Sequence, residues 1–110
     1  MAVAEITVVP SGVGPSVSEY VARAQRVIAR HADVRHMLTP MGTILEGELD
    51  AILAVIRDVH NSCFDDRVQR VLTLVKIDDR RDKPVTMQGK LDSVERKLSV
   101  GLADRRSSAA

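Results

Sequence analysis

Residues 70–77 read RVLTLVKI, and this stretch decides the fold that the sequence predicts. Its β-branched residues alternate with leucines and a lysine, which is the two-residue period of a strand. If Thr73 and its alternate neighbours face a layer of helices, Leu72, Leu74 and Lys76 point to the other side of the sheet. Two leucines on a face without helices of its own are costly to leave in water. We therefore expect this face to be covered by a third helix or by another subunit.

The segments before this strand alternate between strand and helix patterns. A β-branched run over residues 3–9 ends at Pro10 and predicts a first strand. Ser16 and Glu19 have the spacing of a capping box, which predicts that a helix starts there. Apolar residues then recur at i, i+3, i+4 and i+7 as far as Ile28, as on one face of a helix. The chain therefore begins with a strand and an amphipathic helix.

The remaining patterns complete a recognisable order. Residues 34–41 and 43–46 predict two strands joined by a reversal at Gly42, and a second apolar helical stripe follows over residues 49–63. A last helix is predicted from near Thr86. The order β-α-β-β-α-β-α indicates an α+β, ferredoxin-like βαββαβ fold with an additional C-terminal helix. This fold has a four-stranded antiparallel sheet with two helices on one face.

The composition is that of one ordinary globular domain. The chain has 110 residues, of which 45% are hydrophobic and 28% charged. We expect the domain to span residues 1–100 and to be followed by a flexible tail over residues 101–110. The single cysteine, Cys63, cannot form an internal disulfide, which indicates a reducing, cytoplasmic compartment. Neither a targeting segment nor a membrane-spanning run is visible, so no membrane association is expected.

Several kinds of chemistry have no support in the sequence. A net charge of +1 and an aromatic content of 2% argue against a nucleic-acid partner. The two rings, Tyr20 and Phe64, fall on apolar helix stripes and are predicted to be core. His31, His36 and His60 lie in separate contexts, without the spacing of a metal site. We expect no metal, no cofactor and no catalytic residues.

Two polar segments are the candidate binding sites. Residues 39–47 read TPMGTILEG, where Thr39, Thr43 and Glu46 supply two hydroxyls and a carboxylate near the sheet. The alternative is that these residues only serve the turn and the end of a strand. Residues 76–83 read KIDDRRDK, here called the charged segment. Its alternating charges are also typical of a solvated network of ion pairs, or of contacts between subunits.

The same two segments, together with ITVVPSG at residues 6–12 and PSVSEYV at residues 15–21, resemble the YkoF-like family of small thiamine-binding proteins, which was formerly uncharacterised. The resemblance covers residues 4–98 in the same order. It implies a ferredoxin-like fold and a homotetramer assembled through sheet faces and edges. It also implies that thiamine or a related pyrimidine binds at a subunit interface, without catalysis.

Carried onto this chain, the resemblance implies ligand-binding roles for Ser11, Thr39, Met41, Thr43, Glu46, Lys76, Asp78 and Arg80. A carboxylate such as Glu46 could balance the charge of the thiazolium ring. Threonine hydroxyls could match the donor and acceptor of the aminopyrimidine. Arg80 could bind a phosphate if the ligand carries one.

Two alternative functions stay open. The first is an enzyme that acts on a small pyrimidine or thiazole metabolite, with Glu46, Lys76 or Asp79 as acid or base. The second is a structural or regulatory oligomeric protein whose sheet face binds a different partner. Turnover of a candidate substrate would distinguish the first from a binding protein.

Overall fold

A computed structural model describes residues 1–83 and 86–109, with side chains for residues 1–83 and 86–99. Its elements follow the predicted order: β1 (Ala2–Pro10), α1 (Ser18–Ala29), β2 (Arg35–Thr39), β3 (Gly42–Gly47), α2 (Leu49–Ser62), β4 (Val71–Asp79) and α3 (Met87–Ala109). The strands form one antiparallel sheet in the order β2-β3-β1-β4. The ferredoxin-like βαββαβ fold with an additional C-terminal helix is therefore confirmed.

Helices α1 and α2 pack on one side of the sheet, here called the covered face, and the core lies between the two layers. Leu45 of β3 and both Ile52 and Val55 of α2 are fully buried there. Tyr20 is buried as predicted, but the prediction for Phe64 is wrong because its side chain is 42% exposed. Helix α2 ends at Ser62, so Phe64 lies beyond the helical stripe that would have turned it inward.

The strand register defines the other side of the sheet, here called the open face. Directly paired residues of antiparallel strands share a face, and Thr7 pairs with Leu74 while Glu5 pairs with Lys76. The described side chains of the open face are Val3, Glu5, Thr7, Val9, Arg35, Met37, Thr39, Ile44, Glu46, Leu72, Leu74, Lys76 and Asp78. Thr73 lies on the covered face, where its hydroxyl is 2.6 Å from Nδ1 of His60 on α2. The predicted alternation along β4 is therefore correct.

Helix α1 does not begin with the predicted capping box. It starts at Ser18, with Val17 in the N-cap position and no side-chain hydrogen bond to the cap. The carbonyl of Val17 accepts the backbone N–H groups of Tyr20 and Val21 at 3.0 and 3.1 Å, which fixes the first turn two residues later than Ser16. Glu19, the expected partner of Ser16, instead forms ion pairs with arginines.

A polar cluster ties α1 to the loop before β4. One oxygen of Asp65 accepts the Tyr20 hydroxyl at 3.0 Å and a guanidinium N–H of Arg23 at 3.3 Å. The other accepts the backbone N–H groups of Arg67 and Val68 at 2.8 and 3.0 Å. Desolvation alone would raise the pKa of Asp65, but these hydrogen bonds outweigh it and hold the pKa below its usual value.

Helix α3 contacts the open face near its beginning. The backbone N–H of Met87 donates to the Glu46 carboxylate at 3.2 Å, and Lys90 pairs with Asp78. Beyond this point the described apolar side chains of α3 stay exposed, by 51% at Leu91 and 62% at Leu98. Of the two expected covers of the open-face leucines, the third helix is therefore wrong, because Leu72 and Leu74 stay 56% and 54% exposed.

The C-terminal boundary of the domain stays a prediction. The α3 backbone continues to Ala109, past the residue 100 limit predicted for the domain. The side chains of residues 100–110 and the whole of Ala110 lie outside the described residues.

Candidate ligand-binding site

A cavity of about 210 Å³ lies between α1 and the β2–β3 hairpin, here called the hairpin cavity. Helix α1 turns the side chains of Val17, Val21, Ala24 and Ile28 toward it at helical spacing. Ala24 is 4% exposed and ends at its Cβ, so α1 and the hairpin do not fill the space between them. The rest of the wall consists of Ile6, Thr7, Val8, Gln25, Leu38, Thr39, Pro40, Met41, Gly42, Thr43 and Val59.

The hairpin forms one rim of the cavity, and its own hydroxyls hold it in shape. Thr39 donates to the carbonyl of Gly42 at 2.7 Å and accepts the backbone N–H groups of Met41 and Gly42 at 3.3 and 3.2 Å. Thr7 donates to the carbonyl of Met41 at 3.1 Å. These contacts support the turn role for Thr39, because its hydroxyl already serves the loop. Met41 is 81% exposed at the tip.

Gln25 and Thr43 form the polar pair of the cavity wall. Gln25 Nε2 donates to Thr43 Oγ1 at 2.9 Å, and Thr43 is only 5% exposed. The sequence prediction included Thr43 but missed Gln25. The available signal was its position on α1, since Gln25 directly follows Ala24 and lies four residues after Val21 at the edge of the apolar stripe.

The hairpin cavity is suited to a single uncharged ring. The described residues that line it carry no ionisable side chain. Its volume exceeds the roughly 150 Å³ of an engineered apolar cavity that binds benzene, but it is smaller than the roughly 300 Å³ of typical drug-sized sites. A two-ring ligand would therefore place one ring inside and the other at the opening beside the exposed Met41.

The structure separates the predicted site residues into groups. Thr39, Met41 and Thr43 meet at the hairpin cavity. Glu46 lies on the open face, because strand side chains alternate and residues 43 and 46 are three positions apart. There it contacts the start of α3, and Lys76 lies 3.5 Å from the carboxylate of Glu5.

The other predicted positions also lie away from the cavity. Asp78 pairs with Lys90 on the open face. In the charged segment Arg80 contacts Asp82 at 2.5 Å and Arg81 contacts Asp79 at 3.0 Å, so these charges pair within the loop. The backbone N–H of Ser11 donates to the carbonyl of Arg70 at 2.9 Å where β1 ends. Whether any of these residues binds ligand stays a prediction.

The described cysteine and histidine side chains bear on nucleophilic and metal chemistry. Burial raises the pKa of the Cys63 thiol, which disfavours the nucleophilic thiolate. His31 contacts Asp58 at 2.9 Å and His60 contacts Thr73, at separate places. Among the described side chains, those of residues 1–83 and 86–99, no three from His, Cys, Asp or Glu are grouped to hold a metal ion. No helix within residues 1–83 and 86–109 combines the length and apolar composition needed to cross a membrane.

The fold and its register define this chain as a small α+β domain of ferredoxin-like topology. The chain belongs to the family described as thiamine-binding protein, whose model matches residues 4–95. It is 42% identical to the UPF0045 protein YqgV of Bacillus subtilis over 102 residues, which cover 89% of this chain and 98% of that relative.

Solved structures share this architecture. The hypothetical protein MJ1052 of Methanocaldococcus jannaschii superposes with a TM-score of 0.80 at 40% identity, covering 86% of this chain and 95% of that one. A Thermotoga maritima protein, TM0486, provisionally assigned to thiamine biosynthesis or salvage, gives a TM-score of 0.70 at 20% identity, covering 84% of this chain and 97% of that one. At that identity the likeness concerns the fold alone.

Proposed function

We propose that this protein binds thiamine or a related pyrimidine, and that the aminopyrimidine ring occupies the hairpin cavity. The observation that carries the proposal is an uncharged cavity of about 210 Å³ with one polar pair, Gln25 and Thr43, in a member of the thiamine-binding family. A pyrimidine ring is flat and neutral, so apolar walls and a few directional hydrogen bonds are what its recognition needs.

The charge of the ligand supports this orientation. The thiazolium ring of thiamine is a fixed cation, and burying a charge without an opposite partner is costly. None of the described cavity-lining residues is acidic. The thiazolium ring is therefore assigned to the opening beside Met41, where water can solvate it and the thioether can contact its face.

We propose that binding occurs without catalysis. The three candidate acids and bases of the enzyme alternative lie outside the cavity wall and have partners of their own. Glu46 accepts the Met87 N–H, Lys76 lies near Glu5, and Asp79 contacts Arg81. Incubation of the protein with thiamine and its two halves, followed by mass spectrometry, would overturn this part if a new mass accumulated. The lone cysteine supports a cytoplasmic location.

Calorimetric titration tests the binding proposal. We expect heat from thiamine and from the isolated aminopyrimidine half, and little from the isolated thiazole half. Val21→Phe should fill the cavity and abolish binding. Val27→Phe is the matched control, because Val27 lies half-buried on the same helix but outside the cavity wall. Absence of binding by the wild type, or unchanged binding by Val21→Phe, would overturn the proposal.

We further propose that the open face binds a second copy of the chain, in the homotetramer that the family resemblance implies. Leu72 and Leu74 are 56% and 54% exposed on this face, and α3 leaves them uncovered. A contiguous apolar area of this kind favours association. Light scattering after size exclusion should report an oligomer for the wild type and a smaller species for Leu74→Lys. Leu53→Lys, at a leucine of α2 that is 46% exposed, should leave the oligomeric state unchanged. A monomeric wild type would contradict this proposal and favour a different partner.

A further inference from the structure

We infer that the side-chain amide of Gln25 selects the ligand by its 4-amino group, reading the amino donor and the neighbouring ring nitrogen together. This inference rests on the proposed function, because it concerns the same cavity. It assigns a specificity-determining role to a residue outside the ligand-binding set that the family resemblance implies for this chain.

The contact with Thr43 leaves the amide with a suitable free edge. A primary amide has two N–H donors and one carbonyl acceptor with two lone pairs. One N–H of Gln25 is used by Thr43 at 2.9 Å, and Thr43 is held on β3 with 5% exposure. The second N–H and the carbonyl oxygen are left for a ligand, and they lie side by side when the N–H that points away from the oxygen is the one that serves Thr43. The amide therefore offers an acceptor next to a donor.

A 4-aminopyrimidine offers the complementary pair. Its exocyclic amino group donates, and the adjacent ring nitrogen accepts. The same complementarity lets glutamine bind the amino and ring-nitrogen edge of adenine with two hydrogen bonds. In a 4-oxopyrimidine the pattern is reversed, so with the amide in the orientation that donates to Thr43 a carbonyl oxygen would face the amide oxygen. A site that must leave polar groups unpaired rejects such an analogue.

The other polar side chains of the cavity wall are already engaged. The hydroxyls of Thr7 and Thr39 hold the hairpin loop through the carbonyls of Met41 and Gly42. Among the described lining residues, this leaves Gln25 and Thr43 to face a ligand without opening the hairpin, and of these two side chains the amide offers a donor and an acceptor on separate atoms, as a bidentate contact needs. The discrimination between amino and oxo ligands is assigned to it for this reason.

The test is a titration of thiamine and of its 4-oxo analogue, oxythiamine, against three proteins. Wild type should prefer thiamine by about tenfold or more. Gln25→Met has similar length without polar atoms and should lower thiamine affinity by about ten- to a hundredfold, the range of a bidentate pair. It should also remove most of the preference over oxythiamine. Gln69→Met, at an exposed glutamine outside the cavity wall, should behave as wild type.

A second variant guards against an effect on folding. Thr43→Val removes the group that orients the amide but keeps the shape of the side chain. It should reduce the preference for thiamine over oxythiamine more than it reduces thiamine affinity itself, which a merely structural role would not do. Thermal unfolding of each variant verifies that it is folded.

The outcomes separate the two proposals. If wild type binds neither thiamine nor its pyrimidine half, the proposed function fails. If wild type binds thiamine but does not distinguish it from oxythiamine, or if Gln25→Met keeps both affinity and preference, this inference fails and the proposed function stands.

Discussion

The two faces of the sheet are built from the same strands but differ in how far the helices of the chain cover them. On the covered face Leu45 is fully buried and Thr73 finds a partner on α2. One residue further along β4, Leu74 on the open face is 54% exposed. Helices α1 and α2 supply the second layer of the core over most of the covered face, while Val75 and Ile77 at its β4 edge are 38% and 43% exposed. On the open face, Leu72 and Leu74 stay exposed to solvent.

This difference separates the two proposed activities. The hairpin cavity is formed by α1, β1 and the β2–β3 hairpin, so a single chain can form it. Self-association would use the open face, where the described part of α3 contacts Glu46 and Asp78. We therefore expect variants of the open face to alter assembly while ligand affinity is kept, and variants of the cavity to do the opposite.

The largest expected effect on the free energy of unfolding comes from truncating a buried side chain that packs on the covered face. Ile52 is fully buried, and Ile52→Ala should lower the free energy of unfolding by about 2–5 kcal/mol. Leu74→Ala removes a similar volume from the open face and should cost less than about 1 kcal/mol in the monomer. Urea titrations at protein concentrations low enough to dissociate any oligomer make the comparison. Equal losses would mean that the two faces do not differ as described.

An intermediate effect on the free energy of unfolding is expected at Gly42, where the β2–β3 hairpin turns. A Cβ at Gly42 would lie 2.8 Å from Thr7 Oγ1 and 3.2 Å from the carbonyl oxygen of Ile6. Gly42→Ala should therefore destabilise the protein by about 1–3 kcal/mol, as overpacking does. In a double-mutant cycle by urea unfolding, Thr7→Ala should restore part of the loss because it removes the nearest atom. Strictly additive effects would contradict this account.

A smaller effect is expected at the attachment of α3. Glu46→Gln keeps an acceptor for the Met87 N–H but removes a negative charge from the start of the helix. Such charges contribute about 0.3–1 kcal/mol. Amide exchange over residues 87–91 should therefore speed up by about two- to fivefold. Glu48→Gln, in which the altered residue contacts the N-terminal amine at 3.6 Å, should leave this exchange unchanged.

The last prediction concerns the pH dependence of the stability that Asp65 contributes. The pKa of Asp65 is lowered in the folded protein, so its stabilising effect is complete above its unfolded value near 4 and is lost as the pH falls through the folded value. Asp65→Asn keeps a side-chain oxygen that can accept the backbone N–H groups of Arg67 and Val68, but it removes the negative charge. It should reduce the urea midpoint at pH 7 and differ less from wild type in acid. An equal difference at both pH values would contradict this.

The features that could be predicted from the sequence are those that depend on its periodicity, such as which face of a strand each side chain lies on. The alternation of Thr73 with Leu74 identified both faces of β4, because the two-residue period determines direction once one residue is placed. The same rule separates Thr43 from Glu46, although both belong to the segment of residues 39–47 that is predicted as one binding site. Ser16 failed as a helix cap because helix starts are fixed by backbone hydrogen bonds, here those accepted by Val17.

The cavity could not be predicted in this way. It depends on the distance between α1 and the hairpin, which no spacing along one element encodes. The role proposed for Gln25 depends on its hydrogen bond to Thr43, which lies eighteen positions away in the sequence. This contact joins the helix layer to the sheet. The residues that the family resemblance brought forward gave three of the cavity positions, Thr39, Met41 and Thr43.

The central position of β1 has a consequence for the order of folding. Its residue Ala2 pairs with Gly47 on one side and with Asp79 on the other, so closing the β4 side requires a much longer chain loop. Contacts of long sequence separation slow folding. All lining residues of the hairpin cavity lie between Ile6 and Val59, before β4 begins. We expect the pocket to assemble early, with β4 joining last as the strand that completes the sheet, an order that pulse-labelled amide exchange during refolding would reveal.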